Sequence, residues 1–180
     1  QIRNSYAAFM AKTGEDGIAL VNMCDDDVMK SAEGYKGGLV TFGGEADKAD
    51  YCAANLVYER GCAEYDFVVN GENLIRIKLN VPGAHCVCDS LAAAAAAHLQ
   101  GVSPETIRDS LATFEGAGRR MDPMGDAKCG AAIYSDYAHH PTEIKATLTS
   151  AAEMEYDHTY CVFQPHTYSR TAELLEGFAD

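Results

Sequence analysis

The sequence predicts an α/β fold built in two parts, and three observations carry that expectation. Ile18-Ala19-Leu20-Val21-Asn22 reads as a buried strand and Gly38-Leu39-Val40-Thr41-Phe42 as a second short strand, around a helical stretch. That strand–helix–strand order is the signal of a parallel sheet. A second such run follows residue 130, with strands expected over 131–137 and 159–164 and helices over 141–155 and 171–180. Between the two runs lies Gly116-Ala117-Gly118-Arg119-Arg120-Met121-Asp122-Pro123-Met124-Gly125, whose glycines and proline break both periodicities. A domain boundary is expected there, dividing residues 1–121 from 122–180.

Each element has a local reason. Ile2, Tyr6, Phe9 and Met10 recur at helical spacing up to Lys12, and Gly14-Glu15-Asp16-Gly17 then turns the chain. After the first strand, Asp25-Asp26-Asp27 supplies carboxylates for the orphan N–H groups of a short helix reaching about Glu33. The second strand ends in Gly43-Gly44. From Tyr51 to Val81 the pattern changes to alternation. Tyr65–Val69 and Leu74–Leu79 flank Asn70-Gly71-Glu72-Asn73, a hairpin signal because Asn and Gly accept the positive φ of a tight turn. Pro82-Gly83 ends that strand, an alanine-rich helix follows from about His85 to Leu99, and Gly101 stops it. Ser103-Pro104-Glu105 then gives an N-cap, a first-turn proline and an early acid to a helix reaching about Phe114.

Composition narrows the function classes. Of the 180 residues 47% are hydrophobic, enough for a core and against wholesale disorder. No apolar run approaches the roughly 20 residues that span a bilayer. Gln1 opens the chain without a Met or a signal-peptide pattern, so a segment of a longer protein is expected. The net charge of −13 and the lack of a basic stripe argue against a nucleic-acid partner. A nucleotide remains compatible, since one or two arginines and a helix N-terminus suffice to hold a phosphate. Seven cysteines, an odd number and several in apolar surroundings, read as reduced thiols of a cytoplasmic protein.

Four constellations carry chemistry. Asp136, Tyr137, His139 and His140 sit between an expected strand and an expected helix, at the strand's carboxyl end where open α/β sheets bind ligands. The carboxylate suits a ribose hydroxyl and the imidazoles an anion or a metal; the plainer alternative is that His140 caps the helix and Tyr137 is core. Phe163-Gln164-Pro165-His166-Thr167-Tyr168-Ser169-Arg170-Thr171 occupies the same place one β-α unit later. Parallel neighbouring strands would bring His166 and Arg170 to face Tyr137 and His139. His85-Cys86-Val87-Cys88-Asp89 resembles a metal cluster only superficially, because Cys-x-Cys is not a structural-zinc spacing. His85 and Asp89, four residues apart, do share a helix face. Gly118-Arg119-Arg120 lie in the linker, where an arginine has the planar fork that matches a phosphate, or that closes an interdomain salt bridge.

Together these residues resemble the Mur ligase family. The resemblance runs through Asn22-Met23-Cys24-Asp25-Asp26, Val40-Thr41-Phe42-Gly43, Asn80-Val81-Pro82-Gly83-Ala84-His85, Leu91-Ala92-Ala93 and Phe114-Glu115-Gly116 to Arg119-Arg120. Its most specific parts are the stretch from Asp136 to Leu148 and the stretch from Phe163 to Thr171. The Tyr after the aspartate and the paired histidines point to the branch that adds L-alanine to UDP-N-acetylmuramate. The resemblance implies the later part of a central ATP-binding domain, followed by the first part of a Rossmann-like, amino-acid-binding C-terminal domain. It implies ATP-dependent amide formation through an acyl-phosphate, in peptidoglycan precursor synthesis. ATP and Mg2+ are the implied cofactors, and UDP-N-acetylmuramate and L-alanine the implied small-molecule partners, with no nucleic acid and no membrane. No G-x-x-G-K-S/T string occurs in these residues. The phosphate loop and the magnesium ligands are therefore expected outside this segment, which by itself would be inactive.

Carried over residue by residue, His85 and Asp89 would lie at the adenine, Arg120 at the ATP phosphates and Asp136 at the ribose. Tyr137, His139, His166 and Arg170 would surround the alanine and the reacting carboxylate, with His139, His166 and Arg170 catalytic. The family pattern Arg-His-Asn-x-x-Asn is replaced here by Ala84-His85-Cys86-Val87-Cys88-Asp89, and Ser135 stands where an acid is usual. Both amides are lost, and an ionised Asp89 accepts hydrogen bonds but cannot donate one to a ring nitrogen. Three other readings compete: a related murein tripeptide ligase, a metal-dependent hydrolase built on Asp136, His139, His140 and His166, and a noncatalytic nucleotide-binding module.

Overall fold

The computed structural model describes residues 2–43 and 48–179, so Gly44 and Asp180 of the expected elements lie outside the described residues. The chain forms two compact units, residues 1–57, 64–78 and 87–112 in the first and residues 58–63, 79–86 and 113–180 in the second. Among the described residues no helix is long and apolar enough to cross a membrane.

In the first unit, helix α1 (Ile2–Ala11) leads into strand β1 (Ile18–Asn22), helix α2 (Asp26–Ala32) and strand β2 (Gly38–Phe42). The Asp25 side chain caps α2 by accepting from the Asp27 and Val28 N–H groups at 2.9 and 3.1 Å. β1 and β2 pair in parallel from Ile18↔Gly38 to Asn22↔Phe42, as the strand–helix–strand pattern required. Strand β3 (Tyr51–Glu59) joins β2 in parallel. Strands β4 (Cys62–Val69) and β5 (Glu72–Pro82) complete a five-stranded sheet in the order β1-β2-β3-β4-β5.

Two-residue turns join the last three strands, a connection that only antiparallel neighbours permit. Asn70 and Gly71 have φ of 49° and 83°, both in the left-handed region that the expected hairpin demands. Arg60 and Gly61, with φ of 49° and 79°, repeat the device, although Arg-Gly carries a weaker sequence signal than Asn-Gly.

Helix α3 (His85–Leu99) and helix α4 (Pro104–Ala112) follow the sheet. Strand alternation sends Tyr65 and Phe67 inward, where with Ile77 and Leu91 they are fully buried. Each contributes about 1.5–3 kcal/mol of apolar burial. Burial pushes the Tyr65 phenol up to about 12, and its hydroxyl is satisfied by Ser90 Oγ at 2.9 Å. The alternate residues Glu64 and Asp66 hold the Arg76 guanidinium at 2.8 and 3.0 Å.

The second unit departs further from expectation. Part of the glycine-rich linker forms strand β6 (Asp122–Asp126), which pairs antiparallel with strand β7 (Ala132–Ser135) and bulges between Pro123 and Gly125. Helix α5 (Pro141–Ala152) ends earlier than expected. The strand expected over 159–164 is absent among the described residues. Tyr160 is 89% and Val162 100% exposed, and although Phe163 packs on Phe178 at 5.4 Å, no strand among the described residues offers the ladder that this apolar segment needs to become one. The expected parallel pairing of two consecutive β-α units is therefore not formed. The last helix is short, α6 (Tyr168–Glu173), with a 3-10 turn at Glu176–Phe178 beyond it. Gly83, at φ 116°, marks a close approach: a Cβ there would fall 2.6 Å from His85 and 2.7 Å from the hydroxyl of the buried Ser150.

Candidate functional site

The site is assembled from a loop, Arg119–Met121, and the turn that follows β7. The two Asp136 oxygens accept from the Ala138 N–H at 2.7 Å and from the Met121 N–H at 2.9 Å. The Tyr137 N–H donates to the Arg119 carbonyl at 2.8 Å, and the Arg119 N–H donates to Asp122 at 3.0 Å. One carboxylate thus bonds the backbone of the arginine loop to the backbone of the turn. The Arg119 guanidinium stands 5.9 Å from the centre of the Tyr137 ring, a cation–π distance. The Tyr137 ring meets His139 edge-on at 5.2 Å. His139 Nδ1 lies 2.9 Å from the Tyr137 carbonyl. A carbonyl only accepts, so Nδ1 is the donor, and in the uncharged form of the ring the lone pair would lie on Nε2.

Helix α5 begins here because His140 and Glu143 form a capping box with Pro141 at the first helical position. His140 Nδ1 accepts from the Thr142 N–H at 3.3 Å. Glu143 Oε2 accepts from the His139 and His140 N–H groups at 3.0 and 3.2 Å, and Oε1 accepts from Arg120 Nη2 at 3.2 Å. The His139 N–H first, and then the Arg120 side chain, hold the Glu143 carboxyl below its ordinary range. The result is a half-exposed guanidinium beside an imidazole, near a helix start that favours negative charge. This arrangement suits an anionic ligand.

The structure brings Arg120, Asp136, Tyr137 and His139 together. His85 and Asp89 are exposed in the first turns of α3, with His85 Nε2 3.6 Å from Cys86 Sγ. His166 is exposed ahead of α6, and Arg170 is partly buried within it. Among the described residues neither hydrogen-bonds nor ion-pairs with Tyr137, His139 or Glu143. The hydrolase tetrad is not gathered either: His140 is spent on the helix cap, and among the described residues no three His, Cys, Asp or Glu side chains converge as metal ligands. Asp136 and Ala138 also border a cleft of about 540 Å3 lined by apolar side chains such as Met121, Ile133, Ile144 and Leu148. One residue of the site, Glu143, was not anticipated, and Arg119 was read only within the Gly118-Arg119-Arg120 linker. The signal for Glu143 was present, as an acid three residues after an N-cap.

The family model described as Mur ligase middle domain matches residues 1–97, and that described as Mur ligase, glutamate ligase domain, matches residues 119–180. The chain belongs to the Mur ligase family. The UDP-N-acetylmuramate–L-alanine ligase of Lachnospira eligens is 41% identical over 180 residues, covering 99% of this chain and 39% of that relative. The one from Caldicellulosiruptor saccharolyticus is 39% identical over 179 residues, covering 98% of this chain and 39% of its own length. Among solved structures, UDP-N-acetylmuramate-alanine ligase from Thermotoga maritima superimposes with a TM-score of 0.78 at 26% identity, over 98% of this chain and 40% of that one. This Mur ligase chain therefore spans about 39% of the length of the curated relatives it matches.

Proposed function

We propose that this chain is part of an ATP-dependent ligase that joins L-alanine to UDP-N-acetylmuramate in cytoplasmic peptidoglycan precursor synthesis. In this reading residues 1–121 belong to the ATP-binding domain and residues 122–180 begin the amino-acid-binding domain. The observation that carries the proposal is the bonding of the Arg119–Met121 loop to the Asp136–His140 turn, in a chain 41% identical to an alanine ligase.

The chemistry to be served is a carboxylate attacking the γ-phosphate of ATP to give an acyl-phosphate and ADP. The amine of L-alanine then attacks the acyl carbon, and phosphate leaves. Arg120 neutralises charge on the phosphate oxygens through the N–H groups that Glu143 leaves open. Asp136 retains lone pairs beyond its two backbone bonds, enough to accept from a ribose hydroxyl. His139 Nε2 is the base that takes a proton from the alanine ammonium, so that a free amine attacks. Tyr137 walls the amino-acid side, and His166 and Arg170 bind the alanine carboxylate. His85 and Asp89 flank the adenine. Mg2+ would supply further charge neutralisation, but no three candidate ligands converge among the described residues, so no step is assigned to it in this chain.

The test is phosphate release by the full-length protein containing this segment, given ATP and UDP-N-acetylmuramate with and without L-alanine. Release that requires L-alanine supports the proposal, and no alanine-dependent release overturns it. The 180-residue chain, which lacks a G-x-x-G-K-S/T string, is expected to show no turnover by itself.

A further inference from the structure

We infer that Glu143 is a positioning residue that presets Arg120 for its ligand, an inference that rests on the ligase reading above. A capping box requires only that the acid three residues into the helix accept from the N-cap N–H. Glu143 does more. One oxygen takes two consecutive backbone N–H groups, those of His139 and His140, while the other takes Arg120 Nη2. Arg120 lies 23 residues earlier in the chain and its side chain is 49% exposed, so a free guanidinium there would sample many rotamers.

The ion pair occupies a single N–H of the five that a guanidinium carries. The remaining edge of the fork stays open, the bidentate edge that phosphate oxygens take. Because the same carboxylate fixes the backbone under His139, it also sets the spacing between the cation and the imidazole whose Nδ1 is tied to the Tyr137 carbonyl. The arginine loop and the histidine turn are held in one arrangement before a ligand arrives. Positioning of this kind lowers the ordering cost of binding.

The experiment is a double-mutant cycle in the full-length protein, comparing wild type, E143Q, R120A and the double variant. ATP affinity is read by titration calorimetry, and kcat and KM by phosphate release. Glutamine keeps an acceptor oxygen for the backbone N–H groups but removes the charge that holds Arg120. E143Q is expected to weaken ATP binding about tenfold, the scale of one hydrogen bond to a charged group. Its thermal midpoint should stay within about 2 °C of wild type. In the R120A background the same change should weaken binding by less than about twofold, because the group through which Glu143 acts is gone.

Penalties that multiply in the double variant overturn the proposal, as does unchanged ATP affinity in E143Q. A midpoint lowered by more than about 10 °C in E143Q makes Glu143 an ordinary structural cap and also overturns it. A wild type that binds no ATP removes the inference entirely. Coupling in the binding cycle without alanine-dependent turnover sinks the ligase reading alone, whereas turnover without coupling sinks the role of Glu143 alone.

Discussion

The turn at 135–143 and the turn at 163–171 carry similar residue types, a histidine or two, a tyrosine, hydroxyls and a nearby arginine, yet they are built very differently. The first follows a paired strand, closes on a capping box, and has Asp136 and Glu143 bonded to backbone on both sides. The second follows an exposed segment and enters a six-residue helix whose N-cap, Thr167, makes no side-chain cap bond and sits at a φ of 68°. Composition alone does not make a site rigid. Carboxylates that accept backbone N–H groups convert a polar turn into a fixed arrangement, and the second turn has no carboxylate in that position.

The largest test of that contrast is Asp136→Ala set against His166→Ala in the full-length protein. Losing the two acceptor bonds of a partly buried carboxylate should cost about 2–3 kcal/mol, while His166→Ala should stay within about 0.5 kcal/mol. Denaturant unfolding measures both, and equal costs would break the comparison. Next in size, His140→Ala removes the Nδ1 acceptor for the Thr142 N–H and should destabilise by about 0.5–1 kcal/mol in the same assay.

Smaller still is an acid effect. The Glu143 carboxyl titrates below its ordinary value of 4.5 in the folded protein, so its contribution is complete above that value and is lost as pH falls through the lower, folded one. Thermal midpoints compared between pH 6 and pH 3 should fall less steeply in E143Q than in wild type. Smallest is Thr167→Gly. A β-branched residue at positive φ is strained, and glycine should leave stability unchanged or raise it by up to about 0.5–1 kcal/mol. A clear loss would mean that the second turn is better held than its hydrogen bonds indicate.

Much of this was legible where the determinants are local. The limits of β1 and β2, the Asp25 cap and the Asn70-Gly71 turn all follow from residues within a few positions of one another. The motif resemblance to Mur ligases also stands, carried by the stretches around Asp136 and His166. What could not be read depends on partners distant in sequence. Pro123 and Gly125 hide β6, which exists because β7 pairs with it across a bulge. The apolar run over 159–164 promises a strand, but a strand needs a paired neighbour, and Val162 lies fully exposed. The Arg120–Glu143 clamp spans 23 residues, so only its Glu143 half left a local trace.

In the proposed ligase the labour divides between two arginines, Arg120 beside the first turn serving ATP and Arg170 after the second serving the amino acid. Its most direct measurement is the pair of Michaelis constants, for ATP and for L-alanine, in R120A and R170A forms of the full-length protein. R120A is expected to raise KM for ATP about tenfold or more and to leave that for L-alanine near wild type, while R170A does the reverse. Equal shifts in both constants from either variant, or an R170A that affects only ATP, would contradict it.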